Sequence, residues 1–212
     1  MADHMESIKA AVIGGRHGEI KQAVQQALDA GTDPEAIIND ALIAAMDVVG
    51  KDFGDGKIFV PEMLVSAVTM KAGLEVVKSL LAGGQTRNRG TVILATVKGD
   101  LHDIGKNLVT MMLEGAGFKV LDLGVDLSAE KLIEEVKSIQ PDILGMSALL
   151  TTTMPEMQKV IGELTAQGLR GKLKVMVGGA PVDRAFAEKI GADGYGANAA
   201  EAVALARRFV GA

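Results

Sequence analysis

Between residues 34 and 82 the apolar side chains recur every three or four positions. Ile38, Leu42, Ala45 or Met46, Val49 and Phe53 form one series, and Met63, Ala67, Met70, Leu74, Val77 and Leu81 a second. That spacing puts each series on one helix face. The interruptions carry their own chemistry. Gly31-Thr32-Asp33-Pro34 ends one helix and starts the next, with Asp33 as N-cap and Pro34 at the first helical position. Gly54-Asp55-Gly56 breaks the run, and Pro61-Glu62 restarts it. The pattern predicts four helices, roughly 4–13, 17–30, 34–52 and 61–82, packed antiparallel as a small bundle.

The polar, glycine-bearing stretch GGQTRNRG, 83–90, reads as a linker. From residue 91 the rhythm changes. Short β-rich runs alternate with helical patterns: TVILATV then 105–116, KVLDLG then 128–138, DILGMSA then 155–167, KVMVGG then 182–190, DGYGA then 198–209. Five strand–helix units predict a doubly wound, flavodoxin-like or Rossmann-like parallel five-stranded sheet, so the fold class is α/β with a helical bundle in front. The expected organisation is a helical cap at 1–82, a linker at 83–90 and a sheet domain at 91–212. Ligands of such sheets lie beyond the carboxyl ends of the strands. GDLHDIG, SALLTTT, GGAP and YGANA all fall there.

Composition removes several function classes. The net charge is −5, and no basic block suits nucleic acid or a membrane surface. The chain has no cysteine, which excludes disulfides, zinc-thiolate sites and iron–sulfur clusters held by this chain, and fits a cytoplasmic protein. The start, MADHMESIKAAVIGG, lacks the apolar core of a signal peptide, and no apolar run reaches the length of a membrane span.

The loop after the first strand, GDLHDIGKN, is the candidate site. It is not a P-loop: five residues separate Gly99 from Gly105, and Asn107 rather than a hydroxyl residue follows Lys106. The dinucleotide glycine pattern is missing, and the last strand end lacks the lysine of a receiver domain. What remains is a histidine with an acid two residues before it. A carboxylate on one imidazole nitrogen fixes the tautomer and raises the basicity of the other. One histidine does not hold a bare metal ion, but it can supply an axial ligand to a metal caged in a macrocycle. A lone loop histidine is more commonly a surface or helix-cap residue, and the loop by itself leaves both readings open.

Three separated motifs decide between them. Asp100-x-His102-x-x-Gly105 is followed by Ser147-x-Leu149 after 41 residues, and then by Gly178-Gly179 after 28 more. This resembles the cobalamin-binding signature DxHxxG…SxL…GG at the family's spacing. The run MDVVGKDFGDGKIFVPEMLVSAVTMK resembles the cap bundle that precedes the B12-binding domain of methionine synthase. The same two-domain unit is found alone as the corrinoid protein of methanol, methylamine and methoxyaromatic methyltransferase systems, and this chain is similar to it over nearly its whole length.

The resemblance implies a role for each matching position. His102 would be the lower axial ligand to cobalt, with Asp100 accepting its other N–H and the Thr153 hydroxyl extending a relay. Methionine synthase has serine at the position of Thr153, so the extra methyl is a departure. Asp103, Ile104 and Gly105 would belong to the corrin-binding loop, Gly105 allowing close approach. Ser147, Leu149 and Thr151 would line the slot for the displaced nucleotide tail, and Gly178 and Gly179 would leave room for it. Asn198 and Ala199 would meet the tail from the last strand end. Phe53 and Val60 match the cap residues over the methyl-bearing face, Val60 standing where methionine synthase has leucine. The implied cofactor is cobalamin or a related corrinoid, carried as methylcobalamin.

The implied activity is a methyl shuttle between a substrate:corrinoid methyltransferase and a methylcorrinoid:acceptor methyltransferase, the acceptor being tetrahydrofolate or coenzyme M. A reductive activating protein is a further candidate partner. The chain then resembles a carrier subunit rather than a complete enzyme. The alternatives are a cobalamin-dependent sensor, a subunit of an adenosylcobalamin mutase, and a flavodoxin-like module without cobalamin. The first 30 residues are short and weakly basic for a DNA-binding domain, and the cap resembles that of a methyl carrier.

Overall fold

A computed structural model describes residues 2–78 and 89–211. The chain splits into two compact units, Met1–Asn88 with Glu114–Gly117, and Arg89–Leu113 with Phe118–Ala212.

The first unit is helical. Helices α1 (Ala2–Ile13) and α2 (His17–Asp29) precede a long helical run made of α3 (Pro34–Ala36), a wide π-helical stretch (Ile37–Ile43) and α4 (Ala44–Gly54). Helix α5 follows at Val60–Lys78. Asp33 caps α3, its side chain accepting the Ala36 N–H at 3.2 Å with Pro34 in the first turn. The π turns were not visible in the 3.6-residue spacing. They turn Ile37, Ile38, Ala41, Leu42 and Ile43 all inward, a broader buried face than α-helical turns would give. Asn39 Nδ2 donates to the Glu35 carbonyl at 3.0 Å, a side chain competing for a backbone acceptor at the point where the turns widen. The core of this unit holds Ile8, Val12, Ile20, Val24, Leu42, Val49, Met63, Met70 and Val77. Leu81, the expected end of the last helix at 82, and positions 83–88 of the expected linker lie outside the described residues.

The second unit is the predicted parallel sheet. Strands β1 (Thr91–Thr96), β2 (Lys119–Asp122), β3 (Ile143–Ser147), β4 (Lys174–Gly178) and β5 (Gly194–Tyr195) lie in the order β2-β1-β3-β4-β5, every pair parallel. They alternate with α6 (Ile104–Gly115), α7 (Ala129–Ile139), α8 (Met154–Ala166), α9 (Arg184–Ile190) and α10 (Ala199–Val210). Strand β1 is almost wholly buried, as a central parallel strand must be. Strand β5 is shorter than the five-residue DGYGA run predicts. The Asp193 side chain takes the Val175 N–H at 2.7 Å, and only Gly194 and Tyr195 pair with β4. The chain reverses direction across the sheet between β1 and β3, which is the switch point where ligands of such folds bind.

Candidate functional site

The strand register explains the spacing of the three sequence motifs. Thr96 at the end of β1 lies opposite Ser147 at the end of β3, and Ser147 opposite Gly178 at the end of β4. The histidine loop, the serine–leucine segment and the glycine pair therefore leave the sheet from one row.

The loop between β1 and α6 is folded by its own polar groups. Gly99 has φ +81°, and its N–H donates to Asp126 Oδ1 at 2.7 Å. Asp126, itself at φ +56°, returns its N–H to the Asp100 carbonyl at 3.1 Å. Thr96 Oγ1 donates to the His102 carbonyl at 2.9 Å. This turns the Asp100 side chain inward, where it is fully buried, and leaves His102 half-exposed.

Asp100 is the centre of the site. Its Oδ1 meets His102 Nδ1 at 2.7 Å and accepts the His102 backbone N–H at 3.1 Å. Its Oδ2 accepts the Leu149 N–H at 2.7 Å, the Leu150 N–H at 3.3 Å and the Thr153 hydroxyl at 2.9 Å. One carboxylate thus ties the loop after β1 to the loop after β3. Burial by itself pushes the carboxyl up. The Leu149 N–H, the imidazole, the His102 N–H and the Thr153 hydroxyl outweigh it and hold Asp100 well below the usual carboxylate range. An ionised carboxylate only accepts, so the proton of the neutral imidazole sits on Nδ1. The lone pair is then on Nε2, which has no hydrogen-bond partner among the described residues. Thr153 Oγ1 lies 2.9 Å from both Asp100 Oδ2 and the Leu150 carbonyl, and its single proton serves one acceptor at a time.

The other expected residues are placed less uniformly. Ile104 is 86% exposed and opens α6. A Cβ at Gly105 would meet nothing within 4 Å, so no neighbour in the protein demands glycine there. Asp103 accepts from Asn107 Nδ2 at 3.0 Å. Ser147 is half-buried and Thr151 exposed. Gly179 is demanded by the chain itself: with φ +123°, a Cβ would lie 1.9 Å from the Ala148 carbonyl oxygen. At Gly178 a Cβ would lie 3.0 Å from the Gly196 carbonyl oxygen. The pair lets β4 close against its neighbours before any ligand is considered. Asn198 caps α10, its side chain accepting the Glu201 N–H at 2.9 Å, and Ala199 is buried behind it. In the helical unit Phe53 is half-buried on α4 and Val60 is exposed at the start of α5.

Four features escaped the sequence reading. Thr96 and Asp126 shape the loop, the first signalled by a hydroxyl at the end of an apolar strand. Lys106 is buried against Asp122, and Phe59, beside Val60, is 70% exposed.

The surroundings fit a large flat apolar ligand over an imidazole. In the second unit the exposed large hydrophobics among the described residues are Leu101, Ile104, Leu149 and Leu150, on the two loops joined by Asp100 or, for Ile104, at the first residue of α6. An exposed apolar patch confined to a site marks a ligand or partner surface. The described residues hold no group of three or more His, Cys, Asp and Glu suited to a bare metal ion. A metal already held in a macrocycle asks for one protein ligand, and His102 Nε2 can be it.

Comparison with known proteins agrees. Residues 90–204 match the B12 binding domain, and residues 5–78 match a second family model described as B12 binding domain. The chain is 45% identical over 185 residues to trimethylamine corrinoid protein 2 of Methanosarcina mazei, covering 86% of this chain and 85% of that protein. It is 42% identical over 207 residues to dimethylamine corrinoid protein 1 of Methanosarcina acetivorans, covering 97% of each. The methanol:cobalamin methyltransferase complex MtaBC from Methanosarcina barkeri contains a chain that superposes with a TM-score of 0.89 at 35% identity, over 99% of this chain and 80% of that one.

Proposed function

The chain belongs to the B12-binding corrinoid proteins, and from that premise we propose that it is the methyl carrier of a corrinoid-dependent methyltransferase system. It takes a methyl group at a substrate:corrinoid methyltransferase and gives it up at a second methyltransferase. The observation that carries this reading is the Asp100–His102 pair at the switch point, with Nε2 unpartnered and four apolar side chains exposed around it. Trimethylamine and dimethylamine corrinoid proteins are among the relatives it matches at 42–45% identity, so methylated amines are the first donors to test.

When bound, the corrinoid supplies a cobalt centre that accepts a methyl group and releases it to a nucleophile. The chain supplies ligation, orientation and a proton site. His102 Nε2 would ligate the cobalt, with Asp100 holding the ring's angle and tautomer. The same lone pair binds either metal or proton, so proton uptake at Nε2 competes with ligation. Asp100 accepts the Nδ1 proton in both states, and Thr153 donates to its far oxygen. Leu101, Ile104, Leu149 and Leu150 would pack on the ring and Gly105 would admit it closely. Ser147, Leu149 and Thr151 would receive the nucleotide tail.

The test is methyl transfer. The protein is loaded with hydroxocobalamin, reduced, and mixed with a purified methylamine:corrinoid methyltransferase and its amine. Methylation of the bound corrinoid, followed by absorbance, supports the reading. A loaded protein that no amine or methanol methyltransferase can methylate contradicts it.

A further inference from the structure

Asp100 and Lys106 are the two charged residues buried among the described residues. They flank His102, two positions before it and four after. Asp100 is explained by the imidazole it holds. Lys106 has no part in that pair, and its position is unfavourable on two counts. Its side chain is 3% exposed, which strips an ammonium of water. It is also the third residue of α6, where the helix dipole disfavours a cation.

Its partners form a circuit that returns to His102. Lys106 Nζ donates to Asp122 Oδ2 at the end of β2 and to Asn107 Oδ1 at 3.2 Å. Asp122 Oδ1 accepts the Gly124 N–H at 2.8 Å. The Gly124 carbonyl accepts the Thr96 N–H at 3.0 Å, and Thr96 Oγ1 donates to the His102 carbonyl at 2.9 Å. A side branch runs from Asn107 Nδ2 to Asp103 Oδ2 at 3.0 Å. Residues 102–106 are therefore pinned at both ends to the same corner of the sheet. Between the pins lie the exposed Ile104 and the open position at Gly105.

We propose that the Lys106–Asp122 pair is a positioning clamp that holds the 102–106 segment in the shape that presents His102 to the metal. It rests on the reading of His102 as axial ligand. Lys106 touches neither metal nor methyl group; it acts through the segment it anchors. Only the lysine of the pair is buried, the Asp122 side chain being 28% exposed, so the pair is a weak source of stability and its placement here is better explained by specificity of shape.

Three variants separate the clamp from a plain fold contact: Lys106→Met, Lys106→Arg, and Lys106→Met with Asp122→Leu. Each is studied corrinoid-free and with hydroxocobalamin. Lys106→Met leaves the partly exposed Asp122 carboxylate without its cation and moves the unfolding midpoint only slightly. The double variant removes both charges and keeps a midpoint near the parent's. The clamp predicts that its ratio of His102-ligated to unligated corrinoid, read from the absorption spectrum, still falls roughly tenfold. It also predicts roughly tenfold faster amide exchange at His102 and Asn107 in the corrinoid-free protein. Lys106→Arg keeps the cation on Asp122 and recovers part of the ligation that Lys106→Met loses. A double variant with the parent's spectrum and exchange rates overturns the clamp. A parent protein that takes up no corrinoid overturns the ligand reading instead, and the exchange rates then decide the clamp alone: faster supports it, unchanged sinks it.

Discussion

Two glycines of the signature have different reasons for being glycine, and the difference is measurable. At Gly179 an alanine Cβ would run into the Ala148 carbonyl at 1.9 Å, with φ at +123°. Gly179→Ala is expected to lower stability by more than about 3 kcal/mol in denaturant unfolding, with or without corrinoid. Gly105 faces open space, so Gly105→Ala is expected to leave the unfolding midpoint within about 0.5 kcal/mol while weakening corrinoid uptake. Sequence spacing identified both positions but could not distinguish a glycine needed by backbone packing from one needed by a ligand. Asp100 gives a pH signature. Its folded-state pKa is depressed, so the stability it contributes is complete above the ordinary aspartate range and fades as pH falls below about 4. In that range the unfolded chain takes up the proton first. Unfolding midpoints followed from about pH 6 to about pH 2.5 are expected to fall steeply for the parent and less steeply for Asp100→Asn. The His102–Asp100 pairing was legible because an acid two residues before a histidine can reach its ring. The two leucine amides on Asp100 Oδ2 were not, because backbone donors leave no trace in residue identity.

Elements were easier to read than residues wherever one period held throughout. The five β/α repeats and the parallel sheet follow from alternating apolar runs and helical spacing, and β1 is buried as its unbroken TVILAT predicts. The reading missed the π stretch at Ile37–Ile43 because the apolar positions there also satisfy an α-helical period. It overextended β5, where the Asp193 side chain replaces a ladder partner. Asn198 shows one residue carrying a structural duty beside its expected tail contact. Its side chain caps α10, and Glu201 returns a bond to the Ala197 N–H at 3.2 Å. Asn198→Ala is expected to cost about 1 kcal/mol in chemical unfolding, whereas Asn198→Asp, an equally good cap, keeps the stability. A loss of corrinoid affinity in the aspartate variant would then report the tail contact separately.

At the scale of the whole chain, a helical unit and a parallel α/β unit were both legible, since the hydrophobic period switches near residue 90. What the sequence could not convey is why three motifs so far apart belong together. The register answers it: Thr96, Ser147 and Gly178 stand in one row, and Asp100 fastens the first loop to the second. No described helix is long and apolar enough to cross a membrane. A ligand that binds only the folded chain raises its stability, so the unfolding midpoint should climb with free corrinoid, by about 2.7 kcal/mol at a hundredfold excess over Kd. The most direct test of the central claim is the absorption spectrum of the protein reconstituted with methylcobalamin, beside His102→Ala. A histidine-ligated spectrum in the parent that becomes an unligated, base-off spectrum in the variant is the predicted result. A parent that binds no corrinoid, or a variant whose bound corrinoid keeps the parent's spectrum, would contradict it.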